Sequence, residues 1–247
     1  MDMTVHALTK EIQDIQGNPL DIVTGFKFVP GSHYRKNITL DELQSFREFY
    51  ESQIADDPYA TQVRDRGMVK VIYNPYTSAL RVSDTQNYFQ SYGANDSDGG
   101  RVRVFPSISP VLVESSTFQK ILGHDAELMR AYCDRFNRDE LNLSIHFIRY
   151  KAVEGGASYS SPVWLHVDDE PLVFIHLINL TSNALGADNV ISGMDNKPTN
   201  VLRLTEPFDT LIVDTMKKHA VTPLGSSGGM AYRDVMLINL EADLQQK

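Results

Sequence analysis

Beyond Asn142, short apolar runs recur along the chain, broken by clusters of Gly, Asn, Asp and Pro. Residues 144–152, 163–166, 172–180, 190–192, 201–204, 210–213 and 232–240 read as strands. Turn chemistry separates them at Glu154-Gly155-Gly156, at 183–188, at Asn196-Lys197-Pro198 and at 225–229. Many short strands at regular spacing predict a sandwich or barrel. The earlier residues mix two periods. Thr39-Leu40-Asp41-Glu42 is spaced as a capping box, and Leu43, Phe46, Phe49 and Tyr50 follow at helical spacing, which predicts a helix to about Ser52. Residues 116–138 predict a longer helix, with Phe118, Ile121, Leu122, Leu128, Met129, Tyr132 and Phe136 on a wide apolar face. Residues 68–73 and 79–82 read as strands around the turn Asn74-Pro75. The run Asn95-Asp96-Ser97-Asp98-Gly99-Gly100 lacks the glutamate that a calcium loop requires, and reads as a surface turn. The expected architecture is mainly β with flanking helices. A double-stranded β-helix (a jelly roll, cupin-like) over 141–247 would rest on a mixed helical and strand layer over 1–140, within a single domain.

Composition narrows the class without naming a chemistry. With 247 residues, 42% hydrophobic and 22% charged, the chain is long enough for one well-filled core. A net charge of -9 argues against nucleic acid or an anionic membrane as partner. The single cysteine, Cys133, cannot form an intrachain disulfide, and its amphipathic setting predicts a buried, idle thiol. Residues 1–16 carry charges throughout and no apolar stretch of signal-peptide length. No apolar run approaches the roughly 18 residues of a membrane span, so a cytoplasmic location is expected.

The candidate chemistry lies in Trp164-Leu165-His166-Val167-Asp168-Asp169-Glu170, with His219 and Arg233 downstream. Two residues apart on a strand, His166 and Asp168 would leave the same face. Joined by His219 from a distant segment, they would hold one side of a metal ion and leave the other open, the 2-His-1-carboxylate pattern of non-haem Fe(II) oxygenases. Asp169 would face away and serve as a supporting contact. Glu170 has the right parity but precedes Pro171, where a strand breaks. Arg233, at the start of the last predicted strand, offers a two-pronged partner for a carboxylate. Two histidines and a carboxylate also suit a zinc hydrolase, but Arg233 would then have no evident task. A jelly roll that binds a metal or ligand without turnover is the non-enzymatic alternative.

Longer strings sharpen the reading. Arg149-Tyr150-Lys151-Ala152, the run from Ser160 through Pro171, and His219-Ala220-Val221-Thr222-Pro223-Leu224-Gly225 are the densest. Tyr88-Phe89-Gln90-Ser91, Asp98-Gly99-Gly100 and Arg233-Asp234 add to them. From about Asp56 onward the chain resembles the 2-oxoglutarate/Fe(II) dioxygenases that hydroxylate free aliphatic amino acids. That resemblance implies Fe(II), 2-oxoglutarate and O2 as cofactor and co-substrates, with release of succinate and CO2. It implies His166, Asp168 and His219 as iron ligands and Arg233 as the partner of the distal carboxylate of 2-oxoglutarate. It implies a free amino acid of the isoleucine, leucine, methionine or valine class as substrate. Val235 stands where many members of the wider superfamily carry a small hydroxyl residue, so a second anchor for the co-substrate is expected elsewhere, with Thr222 as candidate.

A free amino acid needs a cation for its carboxylate and an apolar pocket for its side chain. Arg149, Arg64, Arg66 and Arg103 are the candidate cations, and Trp164 a candidate wall. His176, if its strand parity turns it inward, would hydrogen-bond a bound acid; a core position is the alternative, and His146 is a weaker candidate of the same kind. The runner-up within the dioxygenases is a peptide-bound or carrier-bound amino acid.

Overall fold

The computed structural model describes residues 25–60 and 63–241; the reading of residues 1–16 lies outside them. Strand β1 (Phe26–Val29) and the short helix α1 (Gly31–Arg35) lead into helix α2 (Leu40–Gln53). The expected capping box opens α2: the Glu42 backbone N–H donates to Thr39 Oγ1 at 3.1 Å, and the Thr39 N–H to Glu42 Oε2 at 2.9 Å. Strands β2 (Ala55–Asp56), β3 (Arg64–Tyr73), β4 (Leu80–Val82), β5 (Tyr88–Phe89) and β6 (Val102–Arg103) follow. Then come helix α3 (Pro110–Val113) and the long helix α4 (Ser116–Phe136). The α4 helix is capped by Ser115 and ends at Asn137, whose φ of 51° is the left-handed stop common at helix C-termini.

The second half is almost wholly β. Strands β7 (Leu141–Ala152) and β8 (Leu172–Leu180) are long. They are followed by β9 (Ala184–Gly186), β10 (Asn189–Ser192), β11 (Pro198–Leu202) and β12 (Thr210–Asp214). Strands β13 (Lys218–Val221), β14 (Leu224–Ser226) and β15 (Ala231–Leu240) complete the order. The large sheet runs β1-β12-β8-β15-β7-β3-β2, with β4 beside β3. Opposite it lie β11-β10-β13 and β14-β9. These are the two layers of a jelly roll.

Both faces of the large sheet are covered, which explains why its central strands are apolar at nearly every position. On one face Phe147, Phe174, Ile212 and Met236 pack under Tyr34, Phe46, Phe118 and Ile121 of the helices. On the other, Ile148, Val173, Ile175, Leu177 and Val235 meet Ile191, Leu204 and Leu224 of the smaller layer. Cys133 is buried in the helical core and free.

Three expectations change. Residues 163–166 do not form a strand; only His166 makes an isolated bridge, with His219. The strand expected at 201–204 lies instead at Pro198–Leu202. The 95–100 run is more than a surface turn, because Asn95 is fully buried and hydrogen-bonds Gln90 and Ser161. The sequence pattern also missed β1, α1 and β13. In β13 the run Lys218-His219-Ala220-Val221 has too little alternation to read as a strand, and its pairing with β10 defines it.

A buried polar knot fastens the helices to the large sheet. Asp125 of α4 accepts from Tyr34 Oη at 2.7 Å and bonds His176 Nε2 at 2.9 Å, while His176 Nδ1 meets Thr210 Oγ1 at 2.8 Å. His176 and Thr210 are fully buried, and Asp125 and Tyr34 nearly so. Asp125→Ala strips partners from two buried groups at once and is expected to destabilise the fold by about 3–5 kcal/mol. Urea unfolding monitored by circular dichroism measures this, and a loss below about 1 kcal/mol would show that the knot is not a fastening.

Candidate active site

Strand parity builds the cavity between the two layers. Across the large sheet, Arg233 of β15 lies opposite Tyr150 of β7, which lies opposite Arg64 of β3. Two residues further along, Val235, Ile148 and Arg66 form the next row. All six side chains line one cavity, as do Leu237, Asn239, Val173 and Ile175. The cavity encloses about 780 Å³ with its open mouth included, and His166, Asp168 and His219 lie on its wall.

The His166–His219 bridge brings two segments of the site together. Each residue donates its backbone N–H to the other's carbonyl, at 3.1 and 2.9 Å, so the imidazoles stand side by side with centroids 4.4 Å apart. Asp168 reaches both: Oδ1 lies 3.5 Å from His166 Nε2, and Oδ2 lies 3.3 Å from His219 Nε2. Among the described residues this is the one group of His, Cys, Asp or Glu with three potential ligand atoms within 4.8 Å of one another. His166 Nδ1 sits 2.7 Å from the Trp164 carbonyl; that oxygen only accepts, so Nδ1 carries the proton and Nε2 offers its lone pair. His219 Nδ1 is buried without a partner.

Burial and mutual contact set the charge on these groups in opposing ways. Burial pushes His219 down to about 4, although Asp168 opposes the shift. Burial also opposes the charge on Asp168, but the adjacent His219 and His166 outweigh it and hold the carboxyl below its ordinary value. Burial opposes protonation of His166, but the Asp168 contact prevails and raises it. Glu170 is raised to about 7 by burial and then by Asp168. It turns away from the triad: Oε1 accepts from Tyr88 Oη at 2.9 Å. Asp169 accepts both the backbone N–H and the hydroxyl of Ser91 and clasps the 88–103 segment to the Asp168 segment.

Four arginines line the cavity. Arg64 is neutralised by buried Asp57 at 2.6 Å. Arg233 is 4% exposed and has no hydrogen-bond or carboxylate partner among the described residues; its Cζ lies 5.8 Å from the centroid of the Tyr150 ring. Arg66 donates to His146 Nδ1 at 2.8 Å, and Arg103 to Gln90 Oε1 at 2.6 Å, but neither has a carboxylate partner among the described residues.

Other expected site residues fall elsewhere. Arg149 has the opposite parity to Ile148 and Tyr150, so it points to the helical side and pairs with Asp234 at 2.8 Å and Glu51 at 2.6 Å. His176 alternates with the cavity-facing Val173 and Ile175 in the same way and belongs to the Asp125 knot. Trp164 is 56% exposed, because the irregular 163–166 segment does not obey strand parity. Thr222 Oγ1 accepts the Asp188 N–H at 2.9 Å in a turn and is not on the cavity wall. Sequence reasoning missed Tyr88, Gln90, Tyr150, Asn189 and Asn239. Asn239 was within reach: it shares parity with Arg233, Val235 and Leu237, and a polar residue on an otherwise apolar inner face is a signal.

A jelly roll with an open His-Asp-His group and buried arginines on the wall of the same cavity defines a class of enzyme. Residues 48–239 match the family model described as 2OG-Fe dioxygenase, and the chain belongs to that family. It is therefore an enzyme that uses Fe(II), 2-oxoglutarate and O2. Two relatives refine the placement. The 3(1)-hydroxy-L-isoleucine 4-dioxygenase of Pantoea ananatis is 38% identical over 228 residues, covering 88% of this chain and 92% of the relative. The L-isoleucine-4-hydroxylase of Bacillus thuringiensis is 36% identical, covering 75% and 77%. The crystal structure of IDO from Bacillus thuringiensis superposes with a TM-score of 0.72 at 27% identity over 95% of each chain. None of the described helices is long and apolar enough to cross a membrane.

The donor set suits Fe(II): two imidazoles and one carboxylate whose ligand atoms lie within 4.8 Å of one another, with Nε2 of His166 left to offer its lone pair. Asp168→Ala removes the only anion of the set. It is expected to weaken Fe(II) binding by more than the about 10- to 100-fold that loss of an outer partner costs. Anaerobic titration with Fe(II), or with Co(II) followed by its visible absorption, measures this; an unchanged affinity would exclude Asp168 as a ligand.

Proposed function

We propose that this enzyme hydroxylates a free aliphatic L-amino acid of the isoleucine, leucine, methionine or valine class. His166, Asp168 and His219 hold the iron, and Arg233 holds the far carboxylate of 2-oxoglutarate. The observation that carries the reading is the pairing, in one cavity, of the open triad with a buried guanidinium that has no hydrogen-bond or carboxylate partner among the described residues. A buried cation without an anion is unfavourable unless a ligand supplies one, and a dicarboxylate co-substrate does so. The named activities of both relatives, on isoleucine-type amino acids, support the substrate class.

When bound, Fe(II) with 2-oxoglutarate and O2 supplies the oxidising power, and the co-substrate is converted to succinate and CO2. The chain does the rest. The Trp164 carbonyl fixes the tautomer and orientation of His166. Asp168 remains ionised between the two imidazoles and offsets part of the metal's charge. Ile148, Val173, Ile175, Val221, Val235 and Leu237 give the cavity an aliphatic side that excludes water and suits an unbranched or branched hydrocarbon side chain.

Wild-type enzyme incubated with Fe(II), ascorbate and 2-oxoglutarate is expected to add 16 mass units to at least one of these four amino acids, with one succinate formed per product. Turnover of none of them would sink the reading. Arg233→Met should raise the KM for 2-oxoglutarate by at least about 30-fold, the equivalent of about 2 kcal/mol for a truncated buried charge pair. An unchanged KM for 2-oxoglutarate would remove Arg233 from this role.

A further inference from the structure

Resting on the amino-acid reading above, we infer that Arg66 and Arg103 together form the site for the substrate's free carboxylate, which makes the enzyme selective against amides, peptide-internal residues and carrier thioesters. Both guanidiniums line the cavity that holds the triad, and both are buried, at 6% and 1% exposure. Their protein partners are uncharged acceptors: the His146 ring for Arg66 and the Gln90 amide for Arg103. The Nε atom of each is buried with no hydrogen-bond partner among the described residues. Two adjacent cations that retain unused donors and lack a carboxylate form a site for an anion that arrives from outside.

The pair is held rigid in a way a solvated pair would not be. Arg66 Cζ lies 3.9 Å from the Phe105 ring centroid and 5.8 Å from that of Tyr88. Arg103 Cζ lies 5.0 Å from the Tyr88 centroid and 5.7 Å from that of Phe105. The two rings are tilted by 50° with centroids 6.1 Å apart, so one aromatic corner supports both guanidinium groups. Gln90 is in turn gripped by Asn95, whose amide donates to its oxygen at 3.1 Å. Planar forks fixed in this way lose little freedom on meeting a carboxylate.

The cavity thus holds two independent cation sites for two carboxylate-bearing ligands. Arg64 is already neutralised by Asp57, and Arg149 lies on the other face of the sheet. Arg233 stands on β15, and Arg66 on β3 with β7 between them. A thioester or an internal peptide residue has no free carboxylate to offer the Arg66–Arg103 pair, and would leave both guanidiniums buried and unpaired.

The test uses wild-type enzyme with L-isoleucine, L-leucine, L-methionine and L-valine and the primary amide of each. Amides are expected to lose at least about 100-fold in kcat/KM against the corresponding acids, because a buried charged site rejects a ligand that cannot complete it. Arg66→Met and Arg103→Met should each raise the amino-acid KM, and its Kd in anaerobic calorimetry with Fe(II) and 2-oxoglutarate present, by at least about 30-fold, with the KM for 2-oxoglutarate within about twofold of wild type. Equal use of acid and amide would overturn the inference, as would a variant whose defect appears in the 2-oxoglutarate KM instead. If either variant fails to fold, the wild-type comparison of acid and amide decides alone. Absence of turnover with every acid would instead overturn the functional reading itself, and the inference with it.

Discussion

Uncompensated positive charge inside the barrel is the constraint around which the site is arranged. Three buried guanidiniums, those of Arg66, Arg103 and Arg233, face one cavity with no carboxylate partner among the described residues. Removing such charges from water costs several kcal/mol each. The protein offsets this in part by seating Arg66 and Arg103 on Tyr88 and Phe105, where each such contact contributes about 0.5–2 kcal/mol. Neutral acceptors take single hydrogen bonds. Burial and the two neighbouring arginines also hold His146 far below its ordinary value, so it is a neutral imidazole able to accept from Arg66. What remains is a deficit that an anionic ligand would remove.

That arrangement requires a scaffold that does not yield. The large sheet supplies it by being covered on both faces, so that each of its central strands is fixed by packing from two sides. The Asp125 knot ties α1, α4, β8 and β12 together from behind. At the front, the segment carrying Asp168 is irregular, and two fastenings locate it: the reciprocal backbone bonds of His166 with His219, and the double acceptance by Asp169 from Ser91. The first fastening sets the distance between the two imidazoles of the triad. The second registers the 88–103 segment, and with it Arg103, against the Asp168 segment.

Much of this was legible in the residue order, for identifiable reasons. The capping box at Thr39 and the long strands at 172–180 and 232–240 are local signals, and they appear with nearly the expected bounds. His166 and Asp168 converge as strand parity would have them, although the segment between them is not a strand. The same assumption failed for Trp164, two residues earlier, where no ladder enforces alternation. Arg149 and His176 were misplaced for a different reason. Both faces of these strands are buried, so hydrophobicity gives no sign of which parity faces the cavity and which faces the helices. Only the pairing register, with Arg233 opposite Tyr150, resolves the two faces.

The division of labour among the elements follows from their origins. The triad and Arg233 come from the jelly-roll layers and their immediate connections, whose geometry the double packing fixes. Arg103, Gln90 and Tyr88 come from a short two-stranded unit outside those layers, joined to the site by side-chain bonds. Asn95 and Ser91 close that unit so tightly that a side chain at Gly99 would fall 2.3 Å from both of their carbonyl oxygens, which leaves glycine as the residue that fits. That unit is also packed, because Tyr88 and Phe105 form a small buried cluster with Met68 of β3 that seats it on the large sheet. The 88–103 segment and the jelly-roll layers thus contribute different side chains to one cavity, and Asp169 joins them through Ser91.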